Sequence, residues 1–187
     1  MTASTAALDF PALWAQALPF PAFVAASDPA HRGLWEGLHR LAVLPDWAPG
    51  LDLSKQPRHL LVLAEDWCGD ASNTIPALQR LVDRVPGLEL RILRRDEHPA
   101  VMDRYLTGTA RAIPIVIALD GEFRELGHWG PRPTQLQEWA MAHRDLSKPE
   151  RYPIIRKWYA RDRGHTTMRE VLAAAGVTLP APTAAPA

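Results

Sequence analysis

The spacing of apolar positions changes along the chain. Up to residue 57 they recur at helical intervals, interrupted by prolines. Asp9 is placed to cap a short helix over 10–17, and Pro19 and Pro21 then break the chain. Asp28 followed by Pro29 starts a longer helix, because the carboxylate accepts from the first free N–H groups and proline suits the first turn. Leu34, Trp35, Leu38, Leu41 and Ala42 share one face of it and are expected to meet a core; the helix ends before Pro45, and 46–57 reads as a loop.

From His59 the pattern shortens. The run Leu60-Leu61-Val62-Leu63 is apolar throughout, as in a strand buried on both faces. Residues 71–85 carry Ile75, Leu78, Leu81 and Val82 at helical spacing and stop at Pro86-Gly87. An alternating segment, 88–93, predicts a second strand and 98–106 a short helix. A third strand over 113–119 is followed by Asp120-Gly121, a hairpin signal, and a return strand over 122–126. Pro133 opens another helix through Leu136, Trp139 and Ala140. The order strand, helix, strand, helix, strand, strand, helix predicts an α/β domain with a four-stranded mixed sheet: a parallel first pair with a right-handed crossover, then an antiparallel hairpin. Two further helices are expected, one from about residue 150 to 159, the other from Thr167, where Thr167 and Glu170 match a capping box, to Gly176. The Pro/Ala-rich stretch 179–187 predicts a disordered tail. One structural domain results: a helical N-terminal extension (1–57), a core (58–144), a C-terminal helical extension (145–178) and the tail.

Composition narrows the functions. Lys plus Arg and Asp plus Glu both number 21, so there is no surplus of positive charge to neutralise phosphates, and neither nucleic acid nor an anionic membrane is an expected partner. Apolar stretches are broken well short of the roughly 20 residues of a membrane span, and the first basic residue is Arg32, so no export signal is read and the cytoplasm is the expected location. Seven histidines, at 31, 39, 59, 98, 128, 143 and 165, lack metal-ligand spacing, and neither a metal nor a cofactor is expected. Arg94-Arg95-Asp96-Glu97 reads as a solvated strand end. The Arg-rich stretch 151–169 reads as an amphipathic helix pair, with an anion-binding role, toward a glutathione-like carboxylate for instance, as the alternative.

Cys68 is the only cysteine, which excludes a disulfide scaffold and a multi-cysteine zinc site. It lies in Glu65-Asp66-Trp67-Cys68-Gly69-Asp70-Ala71, where the first strand gives way to a helix. A thiol there meets unpaired N–H groups and the positive end of the helix dipole, both of which favour a thiolate. Asp66 and Asp70 oppose them, no cation lies within the motif, and the thiol is expected to titrate near its free value or modestly below.

The motif resembles the Trp-Cys-Gly-Pro-Cys turn of the thioredoxin family. Pro76 falls where that family kinks its active-site helix, Ile113-Pro114 where it places a cis proline facing the cysteine, and Asp120-Gly121 and Gly130 at its hairpin turn and at a glycine past the last strand. The resemblance spans roughly residues 58–144 and implies a thioredoxin fold; the flanking helices resemble an elaboration of a bacterial branch, carried by Arg151-Tyr152-Pro153 and Trp158-Tyr159-Ala160-Arg161-Asp162. Two departures matter. Ala71 stands in place of the second cysteine, so no internal thiol can release a mixed disulfide. Val62 stands where the family has a buried Asp that serves that second thiol. Two readings stay open. One is a monothiol oxidoreductase: Cys68 exchanges with a thiol- or disulfide-containing protein or a low-molecular-weight thiol, with Trp67, Gly69, Asp70, Ala71, Ile113 and Pro114 around it. The other is a non-catalytic module that binds a protein or peptide in the same groove. Cys68 as an inert buried thiol and Trp67 as a core residue are the plain alternatives.

Overall fold

The computed structural model describes residues 7–180. In chain order the elements are α1 (Phe10–Gln16), β1 (Leu18–Pro19), α2 (Phe20–Ala25), α3 (Pro29–Leu41), β2 (Arg58–Ala64), α4 (Gly69–Val82), β3 (Leu88–Arg94), α5 (Pro99–Met102), β4 (Ile115–Asp120), β5 (Glu125–Trp129), α6 (Thr134–Ala142), α7 (Lys148–Asp162) and α8 (His165–Ala174). The sheet runs β1-β3-β2-β4-β5. β2 pairs parallel with β3 and antiparallel with β4, and β4 and β5 form the antiparallel hairpin.

The strand order explains why β2 is apolar from Leu60 to Ala64: it lies between two neighbours and is covered on both faces. Leu60, Val62 and Ala64 face a cluster built with Phe23, Trp35, Ile75, Leu78 and Leu172. Leu61 and Leu63 face the opposite cluster with Trp14, Met102, Ile115 and Ile117. Val62 is fully buried among apolar side chains, a place where an ionised Asp would be costly.

Several expectations change. The sheet has five strands, not four, because Leu18 and Pro19 pair with Ile92 and Arg91 along the outer side of β3. Pro19 falls in the extended break after α1, as expected, but Pro21 does not break the chain: α2 starts at Phe20 with Pro21 in its first turn, where a missing N–H costs nothing. Asp9 and Asp28 do cap their helices, accepting from Ala12 N at 3.0 Å and Ala30 N at 2.8 Å. On α3, however, Trp35 is buried while Leu34 and Leu41 are exposed. The hairpin turn reaches further than Asp120-Gly121, through Phe123 at φ 60°, so β5 begins at Glu125. Thr167 does not cap α8; the helix begins two residues earlier, after Gly164, and buries Thr167 inside it. Glu170 accepts instead from Trp129 Nε1 and Thr134 N. The capping box belongs to Ser147 and Glu150 at the start of α7. Of the expected tail, residues 181–187 lie outside the described residues. No helix among the described residues is long and apolar enough to cross a membrane.

Candidate active site around Cys68

Cys68 is the N-cap of α4, held in an extended conformation as the chain leaves β2. It is half-buried and packs against both core clusters, where the two faces of the sheet meet at its end. Its Sγ lies 3.5 Å from the Ile113 carbonyl, which accepts from the thiol. The Ile113–Pro114 bond is cis, in the loop just before β4. Ala71 is buried one turn along α4.

The thiol does not behave as the motif alone suggests. Burial is the largest influence and pushes it up, and the Asp70 carboxylate adds to this. The N–H groups of Ala71 and Asp70 and the Arg132 guanidinium pull it down but do not prevail. The thiol therefore titrates above its ordinary value, not near or below it. The Ile113 carbonyl fits this state, since it can bond only to the protonated sulfur.

Asp70 is held by residues far along the chain. Arg132 grips it with Nε at 2.9 Å and Nη2 at 2.5 Å, and the Tyr159 hydroxyl donates to it at 3.0 Å. Arg132 sits between Pro131 and Pro133, which restrict its backbone, and its Nη1 donates to Gln137 Oε1 at 3.0 Å. Burial pulls the Arg132 guanidinium down, but Asp70 outweighs it and leaves it raised. Burial and Asp70 push the Tyr159 hydroxyl well above its usual range, so it remains a donor. The bond ties α7 to the first turn of α4, helped by a small cluster in which Ile155 and Tyr159 pack with Leu136 of α6. Between α7 and Cys68 this leaves a cleft of 340 Å³, lined by Trp67, Cys68, Gly69, Asp70, Asn73, Arg132, Tyr152, Ile155 and Arg156.

On the other side of Trp67 the acids of the motif are structural. Asp66 accepts from His31 Nδ1 at 2.9 Å, Asp28 N at 2.9 Å and Arg94 Nη1 at 3.2 Å, while Glu65 accepts from Asp96 N at 2.9 Å. Burial works against an ionised Asp66, but these bonds outweigh it and hold the carboxyl at about 2. Arg94-Arg95 is consequently not a solvated strand end. Arg94 braces both acids, and the Arg95 guanidinium lies 5.2 Å from the centre of the Trp67 ring, which is 55% exposed and no core residue.

Of the residues expected at the site, Trp67, Cys68, Gly69 and Asp70 line the cleft. Ile113 and Pro114 come to the sulfur but are buried and do not line this cleft. Sequence reasoning missed Arg132, and it read Tyr152, Ile155, Arg156 and Tyr159 as parts of the Arg-rich stretch 151–169, with anion binding as the alternative, without placing them beside Cys68. The Pro-Arg-Pro run and the Ser147-x-x-Glu150 box were the available signals for a fixed arginine and for where α7 begins.

A family model described as Thioredoxin matches residues 18–147, from β1 to just beyond α6. A search of curated proteins finds no match. Among solved structures, a protein of unknown function from Pseudomonas aeruginosa is 23% identical, with a TM-score of 0.70, covering 90% of this chain and 97% of its own. An HIV epitope scaffold is also 23% identical at a TM-score of 0.70, covering 91% of this chain and 100% of its own. Both likenesses concern the fold.

Proposed function

We propose, from the premise that this chain belongs to the thioredoxin family, that it carries out a one-thiol form of disulfide exchange through Cys68. The observation that carries the reading is a lone sulfur at the start of α4, opening on a cleft, with apolar Ala71 where an internal resolving thiol would stand. The Cys68 thiolate attacks one sulfur of a substrate disulfide. A Cys68–substrate disulfide forms, the substrate S–S bond breaks, and the expelled thiolate takes up the proton that Cys68 gave up. A second, external thiol then attacks the substrate sulfur of the mixed disulfide: the external thiol–substrate disulfide forms, the Cys68–substrate bond breaks, and Cys68 leaves in its reduced form and regains a proton. Because burial raises the thiol, the thiolate fraction at neutral pH is small, and exchange should quicken as pH rises. A single unpaired cysteine suits a reducing compartment, and we place the protein in the cytoplasm on that ground.

The test uses a small neutral disulfide, bis(hydroxyethyl) disulfide, and the intact mass of the full chain. One adduct on Cys68, absent from Cys68→Ser and removed by added thiol, is expected. If no adduct forms while iodoacetamide still modifies Cys68, the exchange reading is wrong. The raised thiol also favours a second reading, a binding module whose cysteine does not turn over. Partner capture that survives Cys68→Ser would then be the result.

A further inference from the structure

The cleft beside Cys68 is small, and its charges are unequal. At 340 Å³ it lies at the lower end of the range for small-ligand sites, about 300–1,000 Å³. One wall is α7, anchored by Ile155 and by the Tyr159–Asp70 bond, and the opposite rim carries the exposed Trp67 ring. Three charged side chains line it: Asp70, Arg132 and Arg156. Asp70 and Arg132 neutralise each other through two hydrogen bonds. Arg156 makes no hydrogen bond, ion pair or ring contact among the described residues. The one uncompensated charge in the cleft is thus a guanidinium, whose planar fork suits a carboxylate.

A polypeptide substrate fits this surroundings poorly. Ile113 and Pro114, where an extended chain would have to pair, are buried, and the open space beside Cys68 is bounded by α7. We infer that the cleft selects a low-molecular-weight disulfide bearing a carboxylate, with Arg156 binding the carboxylate while Cys68 attacks the sulfur. This rests on the exchange reading above. With R standing for the carboxylate-bearing group, the step is Cys68–SH plus R–S–S–R giving Cys68–S–S–R plus R–SH. The Cys68 sulfur is oxidised, the departing sulfur is reduced, and the Cys68 proton ends on the departing thiol. Arg156 takes no part in the bond changes and acts as a specificity determinant.

Adduct formation on the full chain, followed by intact mass at one pH, tests this with two disulfides of similar size: dithiodipropionate, which carries carboxylates, and bis(hydroxyethyl) disulfide, which is neutral. A free reference thiol supplies the intrinsic ratio of their rates. The wild-type protein is expected to favour dithiodipropionate relative to that reference. Arg156→Gln should lower the dithiodipropionate rate about three- to fivefold relative to the neutral rate, as for an exposed ion pair. Arg161→Gln removes an exposed arginine of the same helix outside the cleft and should leave the ratio as it was. A ratio unmoved by Arg156→Gln, or lowered equally by Arg161→Gln, overturns the assignment of Arg156 while leaving exchange intact. Failure of both disulfides to react overturns the exchange reading itself, and the inference with it.

Discussion

Replacing Asp70 with Asn removes one negative charge beside Cys68 and keeps an oxygen able to accept from Arg132 and Tyr159. Asp70 raises the thiol and Arg132 lowers it, so the substitution removes the opposing anion and leaves the contribution of the guanidinium in place. A unit charge at ~4 Å is worth about 1 kcal/mol in water and about 4 kcal/mol at an effective dielectric of ~20. The Asp70 side chain is 14% exposed and that of Arg132 24%, so screening is intermediate. With that screening the loss of the carboxylate is worth roughly 1–1.5 kcal/mol, or about one pKa unit. The Cys68 thiol of Asp70→Asn should therefore titrate about one unit below wild type. Arg132→Gln, with the anion exposed instead, should titrate above it. Both variants break a partly buried ion pair and should lose about 1–3 kcal/mol, at about 2–4 °C of melting temperature per kcal/mol for a chain of this size. The assay is the iodoacetamide rate against pH, read by intact mass. An Asp70→Asn thiol that titrates at or above the wild-type position refutes the account of how the cleft sets its sulfur.

Two further outcomes concern stability. Asp66 titrates at about 2 in the fold against an ordinary 3.8, so its contribution is present above the unfolded value and is lost as pH falls from about 4 to 2. It amounts to about 2 kcal/mol. Urea midpoints across that window should fall for wild type and stay flatter for Asp66→Asn, which should already be weaker at higher pH; equal acid slopes in the two proteins would contradict this. Gly130 holds φ +132°, and a Cβ there would run into the Pro114 carbonyl oxygen. Gly130→Ala should cost at least about 2 kcal/mol and speed alkylation of Cys68 by shifting the Ile113–Pro114 segment; a midpoint within about 0.5 kcal/mol of wild type would show that the contact yields easily.

Local patterns carried most of the fold. The strands and helices after residue 57 announce themselves because period and length agree, and Trp67-Cys68-Gly69 marks the one junction where chemistry is placed. What stayed hidden is non-local. β1 is two residues long and owes its existence to the open side of β3, which no propensity in Leu18-Pro19 reveals. Arg132 and Tyr159 reach Asp70 across 62 and 89 residues of chain, which no local pattern shows, and burial of Cys68, which charge counted within the motif does not register, is why the motif predicted too acidic a thiol. Thr167 and Ser147 present the same capping pattern with Glu three residues on, and only the position of Gly164, at φ +80°, decides that α8 begins upstream of Thr167. Arg94 and Arg95 resemble a solvated charge run until the folded chain places Glu65, Asp66 and Trp67 beside them.

The pairing of Leu18 and Pro19 with Ile92 and Arg91 has a consequence out of proportion to its length. A strand with free N–H and C=O groups along its rim is a template on which another chain can polymerise. Those two residues occupy part of that rim, Pro19 offers no N–H to continue the ladder outward, and Arg91 bonds back to the Trp14 carbonyl at 3.1 Å, fastening the shield in place. The N-terminal segment is in this sense a guard against self-association, and shortening the chain to residue 20 would bare an adhesive border along β3.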